Sequence, residues 1–284
     1  MSTTSPYIVE PIGPHTHSLI LLHGLGSNGK KFGRELIETG ISSDGKSLPD
    51  LLPGARFIFP TSKKSRSIAF RRARLTQWFN IASLDDPSYR NQSQLQGMEE
   101  SSREIFRLIN QERERVPDKN IILGGISQGG AMGFMCLLAM EFSLGGYIGI
   151  SSWLPFAAEI ESLDNDSDDT SFSDEDDNPF AVSDNGDGSG NKSAQVHDYA
   201  RDLLYMETGD SSNVGSLSTP VFLGHGEADE KIKPELGEGA CRILRSVGYD
   251  VRWKGYAGLG HWYKVPDEID DILDFIREKV GWSL

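Results

Sequence analysis

The chain alternates between short blocks of consecutive apolar residues and longer stretches that carry one apolar stripe. Within Ser18-Leu19-Ile20-Leu21-Leu22 the apolar residues are continuous, which suits a strand covered on both faces rather than one with a wet side. Phe57-Ile58-Phe59, Ile121-Ile122-Leu123, Tyr147-Ile148-Gly149-Ile150, Val221-Phe222-Leu223 and Val251-Arg252-Trp253 read the same way. Helical spacing fills the intervals. Met98 to Val116 sets Met98, Ile105, Leu108 and Ile109 on one side, and Gly130 to Glu141 is apolar almost all round, as a buried helix is. Leu236 to Val247 follows the fifth strand. Pro266 to Val280 opens with proline and acids, a favourable helix start, and carries Ile269, Ile272, Leu273, Ile276 and Val280 as a stripe. Strands alternating with helices predict an α/β fold: a mostly parallel central sheet with helices on both faces.

The alternation breaks once. Between Glu159 and Asp187 there are twelve acidic residues and no Lys or Arg, so this stretch supplies −12 of the net −14. Ser, Asn and Gly dominate the rest of it, and such a composition cannot bury enough apolar surface to offset its ordering entropy. The prediction is one domain made of residues 1–156 and 220–284, interrupted by an acidic insertion over 157–219 that is largely disordered, with a short helix over Tyr199 to Met206. Asp164-Asn165-Asp166-Ser167-Asp168 with Glu175 has calcium-loop spacing, but Asp169 occupies the place of the turn glycine. Ser171 and Ser173 each precede an acid by three positions, as sites for an acid-directed kinase do.

The acidic balance argues against nucleic acid as a partner, which calls for a basic face. Two cysteines, Cys136 and Cys241, build neither a disulfide framework nor a Cys-rich zinc site. With no basic, apolar leader at Met1 and no run long enough to span a bilayer, the expected setting is cytoplasmic. Any membrane contact is then transient. Lys63, Lys64, Arg66, Arg71, Arg72 and Arg74 crowd six cations into twelve positions around Phe70 and Leu75. Such a run is either a solvated loop or a patch for anionic headgroups.

The chemistry centres on Gly125-Ile126-Ser127-Gln128-Gly129, a G-x-S-x-G match between a predicted strand and a predicted helix. That setting is the sharp turn needed to hold a serine with its hydroxyl exposed. A serine needs a base, and in this arrangement an acid and then a histidine follow it along the chain. Of six histidines, His15, His17 and His23 precede Ser127, and His197 lies in the predicted insertion. His225 falls at the end of a strand, on the loop where the acid should stand, and His261 follows that loop. Glu227, Asp229 and Glu230 compete for the acid; Asp229 is preferred and Glu227 is second. The acid would fix the tautomer of His261. Two backbone N–H groups would take the oxyanion: that of Gln128, after the nucleophile, and that of Leu25 in His23-Gly24-Leu25-Gly26.

These residues resemble the acyl-protein thioesterases and the wider phospholipase/carboxylesterase group of serine α/β-hydrolases. The resemblance runs through His23-Gly24-Leu25-Gly26, Gln77-Trp78-Phe79-Asn80, Gly125 to Ala131, Trp153-Leu154-Pro155, His225 to Asp229 and Gly260-His261. It implies an α/β-hydrolase fold, Ser127, Asp229 and His261 as the triad, Leu25 and Gln128 as oxyanion donors, and no metal or organic cofactor. Trp78, Phe79 and Leu154 are expected to line an acyl groove. Asn80 stands where the family often has Asp, and the long acidic stretch resembles fungal-type members. The implied reaction is cleavage of acyl thioesters or carboxylic esters through an acyl-serine. The substrate would be a lipidated protein, a lysophospholipid or a small ester. A binding module without catalysis on the same scaffold is the alternative of another class.

Overall fold

The computed structural model describes residues 5–163, 189–207 and 214–282. In chain order the elements are β1 (Tyr7–Val9), β2 (His17–Leu22), α1 (Gly29–Thr39), α2 (Leu48–Leu51), β3 (Ala55–Phe59), β4 (Lys64–Arg66), β5 (Arg74–Thr76) and α3 (Leu95–Arg113). Then follow β6 (Ile121–Ile126), α4 (Gln128–Leu138), β7 (Gly146–Ile150), α5 (Ala157–Ser162), α6 (Ser189–Leu203), β8 (Val221–Gly226), α7 (Pro234–Val247), β9 (Val251–Tyr256) and α8 (Asp267–Phe275).

Seven strands form one sheet in the order β1-β3-β2-β6-β7-β8-β9, and β4 with β5 makes a separate hairpin. Every pairing from β3 to β9 is parallel; β1 alone runs antiparallel, on β3. The predicted strands all lie in this sheet. β1 is the addition: its three residues are too few to show a period, and Glu10-Pro11 ends it at once.

Alternate residues of each strand feed opposite faces. Leu19 and Leu21 join Phe57, Phe59, Ile122 and Phe222 beneath α1 and α8, while Ile20 and Leu22 join Ile58, Leu123 and Leu223 beneath α3, α4 and α7. That double coverage is why the strand sequences are continuously apolar. The register Leu22↔Gly125, Ile126↔Ile150 and Gly226↔Tyr256 brings the carboxyl ends of β2, β6, β8 and β9 to one edge, where ligand sites of open α/β sheets lie.

The stretch 157–219 is not uniform. α5 and α6 border its middle, and Ile160, Val196, Ala200 and Leu204 are all sealed in the core. His197 Nδ1 lies 2.9 Å from Leu138 O, and Arg201 pairs with Glu141 at 3.0 Å. α6 therefore begins ten residues before the helix expected at Tyr199. The acidic run before it masks the apolar spacing of Val196, Ala200 and Leu203, which becomes legible only against α4. The calcium-like spacing at Asp164 to Glu175, Ser171 and Ser173 lie outside the described residues.

One buried carboxyl stands out. Glu268 is fully enclosed, its Oε2 accepts the Lys264 N–H at 2.9 Å, and its Oε1 has no partner among the described residues. Burial pushes its pKa up to about 8. Between the ordinary glutamate range and about 8 the folded chain holds a proton that the unfolded chain has lost. Stability must therefore fall as pH rises through that window. Glu268→Gln, which cannot ionise, is expected to gain thermal stability over wild type as pH goes from 5 to 8. A melting-temperature difference that stays flat across that range would refute the assignment.

Candidate active site

Ser127 sits between β6 and α4 with φ 56° and ψ −126°, a left-handed backbone rare for a side-chain-bearing residue. Neighbours hold the turn. The Ser127 N–H donates to Ile150 O at 2.9 Å, and Ser127 O accepts from Ala131 N–H at 3.0 Å and from Ser152 Oγ at 2.9 Å. Two glycines are obligatory here. A Cβ on Gly125 would lie 2.6 Å from Gly129 C, and one on Gly129 would lie 2.3 Å from Leu22 O. Strand, turn and helix backbones are simply too close for side chains.

Asp229 and His261 arrive on the loops after β8 and β9. His261 Nδ1 is 2.7 Å from Asp229 Oδ2. Oδ1 of the same carboxylate accepts the N–H groups of Lys231 and Ile232 at 2.9 and 3.0 Å. Burial opposes charge on Asp229, but the hydrogen bonds from His225, His261 and the Ile232 N–H outweigh it and hold the acid well below the usual carboxylate range. Its charge requires the proton on His261 Nδ1, leaving Nε2 free to accept.

Ser127 and His261 line one cleft of about 740 Å³, together with Leu25 and Gln128. Gln128 is the first residue of α4, so its N–H has no partner within the helix. The Leu25 loop is pinned on either side: Gly26 N–H donates to Thr76 O at 2.8 Å and Ser27 N–H to Gly24 O at 3.1 Å. His23 anchors its base. The ring is buried, Nδ1 meets Gly24 O at 2.8 Å, and Nε2 accepts the Ser62 N–H at 3.1 Å. Burial lowers its pKa to about 4, so it stays a neutral strut.

The three expected groove residues are placed differently. Trp78, Phe79 and Leu154 are buried and do not line the cleft. Trp78 Nε1–H donates to His23 O at 2.8 Å, and the Gln128 side chain clamps the segment from the other side: Oε1 accepts the Trp78 N–H at 3.0 Å and Nε2 donates to Phe79 O at 2.8 Å. Trp78 and Phe79 support the Leu25 loop and the turn at Ser127 from behind. Trp153, next to Leu154, faces the cleft instead, with Ile81, Leu84, Ile232 and Trp262. Only Trp153 stands in a motif read from the sequence; Ile81 and Leu84 share the loop after β5, and Ile232 and Trp262 come from the loops after β8 and β9, so no spacing joins them.

Phe70 and Leu75 also line the cleft, which makes the basic run part of its rim. It forms the β4–β5 hairpin, tied down where Asn80 Oδ1 accepts the Ile68 N–H at 3.0 Å. Lys63 pairs with Glu100 at 2.7 Å, whereas Lys64, Arg66, Arg71, Arg72 and Arg74 form no ion pair among the described residues. Also among the described residues, no group of three or more His, Cys, Asp and Glu side chains is arranged to hold a metal. No helix of these residues is long and apolar enough to cross a membrane.

A strained serine and a carboxylate-bound histidine on one cleft at the edge of a mostly parallel sheet define an α/β-hydrolase. Residues 3–173 match the phospholipase/carboxylesterase family, and the chain belongs to that family. It is 26% identical over 281 residues to acyl-protein thioesterase 1 of Gibberella zeae, spanning 97% of this chain and 96% of the relative. The protein of the same name from Saccharomyces cerevisiae is 22% identical, with 96% and 97% covered. Among solved structures, Zea mays acyl-protein thioesterase 2 superposes with a TM-score of 0.65 at 24% identity, covering 97% of this chain and 99% of that one. The esterase PE8 gives 0.64 at 19%, covering 98% and 100%.

The buried His23 predicts an acid response. Below its ordinary pKa of 6.5 the unfolded chain takes up a proton that the folded ring refuses until about pH 4. Wild type should therefore lose stability relative to His23→Gln as pH falls from 6.5 to 4. Urea midpoints that keep a constant gap over that range would contradict it.

Proposed function

We propose that this chain hydrolyses acyl thioesters or carboxylic esters with lipid-like acyl chains, in the manner of an acyl-protein thioesterase. The observation that carries the reading is the 2.7 Å Asp229–His261 bond opening onto the cleft that Ser127 enters from a strained turn. In the proposed reaction, Ser127 Oγ attacks the acyl carbonyl as His261 Nε2 takes its proton. Asp229 holds the tautomer and stabilises the imidazolium that forms. The Leu25 and Gln128 N–H groups receive the oxyanion, each worth about 10²–10³ in turnover at such sites. His261 then returns the proton to the leaving sulfur or oxygen, and the acyl group stays on Ser127. Water activated by the same imidazole releases the carboxylic acid.

The cleft supports an acyl chain as the bound group. Phe70, Leu75, Ile81, Leu84 and Ile232 present hydrocarbon along it, and its volume of about 740 Å³ lies within the range of small-molecule sites. A thiol with a pKa of about 8.5 leaves more readily than an alcohol, so thioesters ask less of His261. The names of the full-length relatives point the same way.

The test is a chain-length series of p-nitrophenyl esters and acyl-CoA thioesters, run beside fluorophosphonate labelling. Wild type should label and turn over, with Ser127→Ala silent in both. Asp229→Asn should lose about 10⁴ in kcat through the wrong tautomer. Preference for short chains would shift the assignment to a small-ester carboxylesterase, and preference for lysophospholipid added in competition would shift it to a lysophospholipase. No labelling of wild type would leave a binding module.

A further inference from the structure

His225 touches the acid of the site but takes no part in the reaction proposed above. The ring is buried at the end of β8, and its Nε2 lies 2.9 Å from Ile232 O and 3.3 Å from Asp229 Oδ2. Both neighbours are acceptors, so Nε2 must carry the hydrogen; the other tautomer would set a lone pair against two oxygens. The far side of the ring is fitted as closely. A Cβ on Gly237 of α7 would fall 2.4 Å from His225 Nδ1 and 2.9 Å from the Trp253 ring, whose centroid is 6.1 Å from the imidazole. The helix approaches this ring only because residue 237 has no side chain.

The contacts close a circuit. Ile232 gives its N–H to Asp229 Oδ1 and its carbonyl to His225, while His225 also reaches Oδ2, the oxygen that His261 uses. Without His225, Asp229 keeps two backbone donors on Oδ1 and one imidazole on Oδ2. Its carboxylate plane is then free to pivot about Oδ1. With His225, Oδ2 is held from two sides and its negative charge is divided between two imidazoles. Ile232 also lines the cleft, so the same ring ties the acid to the substrate wall.

We infer that His225 is a positioning residue for the Asp229–His261 pair: it fixes the plane of the carboxylate and takes part of its hydrogen-bonding capacity, so that Oδ2 faces His261 in one orientation. The inference rests on the proposed serine-hydrolase reading. The groups around the ring are Asp229 and Ile232 on its loop, Gly237 on α7 and Trp253 on β9.

The test compares His225→Gln, His225→Asn and His225→Phe, with kcat and KM for a p-nitrophenyl ester. It also follows the far-downfield proton resonance of the His261 Nδ1–H···Asp229 bond. Gln carries an amide N–H the same number of bonds from Cβ as Nε2 and should keep wild-type kcat within about threefold. Asn is too short and Phe has no donor. Both should lose about ten- to hundredfold in kcat, the usual cost of removing an outer partner that orients a functional group, with KM little changed. In both the proton should move further downfield, because His261 then has Oδ2 to itself. Asn and Phe variants that match wild type in kcat and in the proton signal would overturn the inference. So would a Gln variant as poor as Asn at a native melting temperature, since packing would then be the cause. Should Asn and Phe fail to fold, the Gln variant decides alone: a native melt with an unmoved proton supports the role, and a displaced one refutes it. A wild type that is inactive and unlabelled, with the downfield proton present, would count against the hydrolase reading instead.

Discussion

The contact on which the site depends is the one between Asp229 and His261. It joins the loop after β8 to the loop after β9, two loops already held side by side where Ala228 N–H donates to Leu259 O at 2.9 Å. The carboxylate is buried, and an isolated buried charge costs several kcal/mol or more. Four donors meet that cost: two backbone N–H groups on one oxygen and two imidazoles on the other. Removing any one leaves a partly unsatisfied charge, so the geometry of the acid and the stability of its loop are the same quantity viewed twice.

The strained turn at Ser127 is secured in a comparable way. Its unfavourable backbone is held by Ile150 on one side and Ser152 on the other, both from β7 or its exit loop. The helix behind it is apolar all round, so α4 cannot slide to relieve the strain without exposing core. Rigid packing on one side of the elbow and a cleft on the other is what keeps the hydroxyl at a fixed place.

Much of this was legible in the chain itself. Continuous apolar runs mark six strands because a sheet covered on both faces needs hydrocarbon at every position. β1 is not legible in the sequence because Tyr7-Ile8-Val9 is too short to have a pattern and pairs at an edge. The site order of serine, acid and histidine could be followed because the sharp turn at residue 127 imposes glycines at fixed spacing. The cleft walls could not. Trp78 and Phe79 look like groove residues as aromatic side chains, yet the hydrogen bonds of Gln128, fifty and forty-nine positions away, draw them inward. The first ten residues of α6 are hidden for the opposite reason: their apolar positions are few and follow an acidic stretch, and their partners lie on α4.

Gln128 links these levels. Its backbone stands at the mouth of α4 beside Ser127, while its side chain grips the main chain of Trp78 and Phe79, which in turn steadies His23 and the Leu25 loop. In the proposed reaction both oxyanion donors would thus depend on one residue. On the proposed reading, a shift in acyl preference would come through the separately mounted walls, at Trp153, Ile232 or the β4–β5 hairpin, because exchange at position 128 would disturb the two proposed oxyanion amides together. Such a division would let a lineage retune its substrate while the proposed triad stays still.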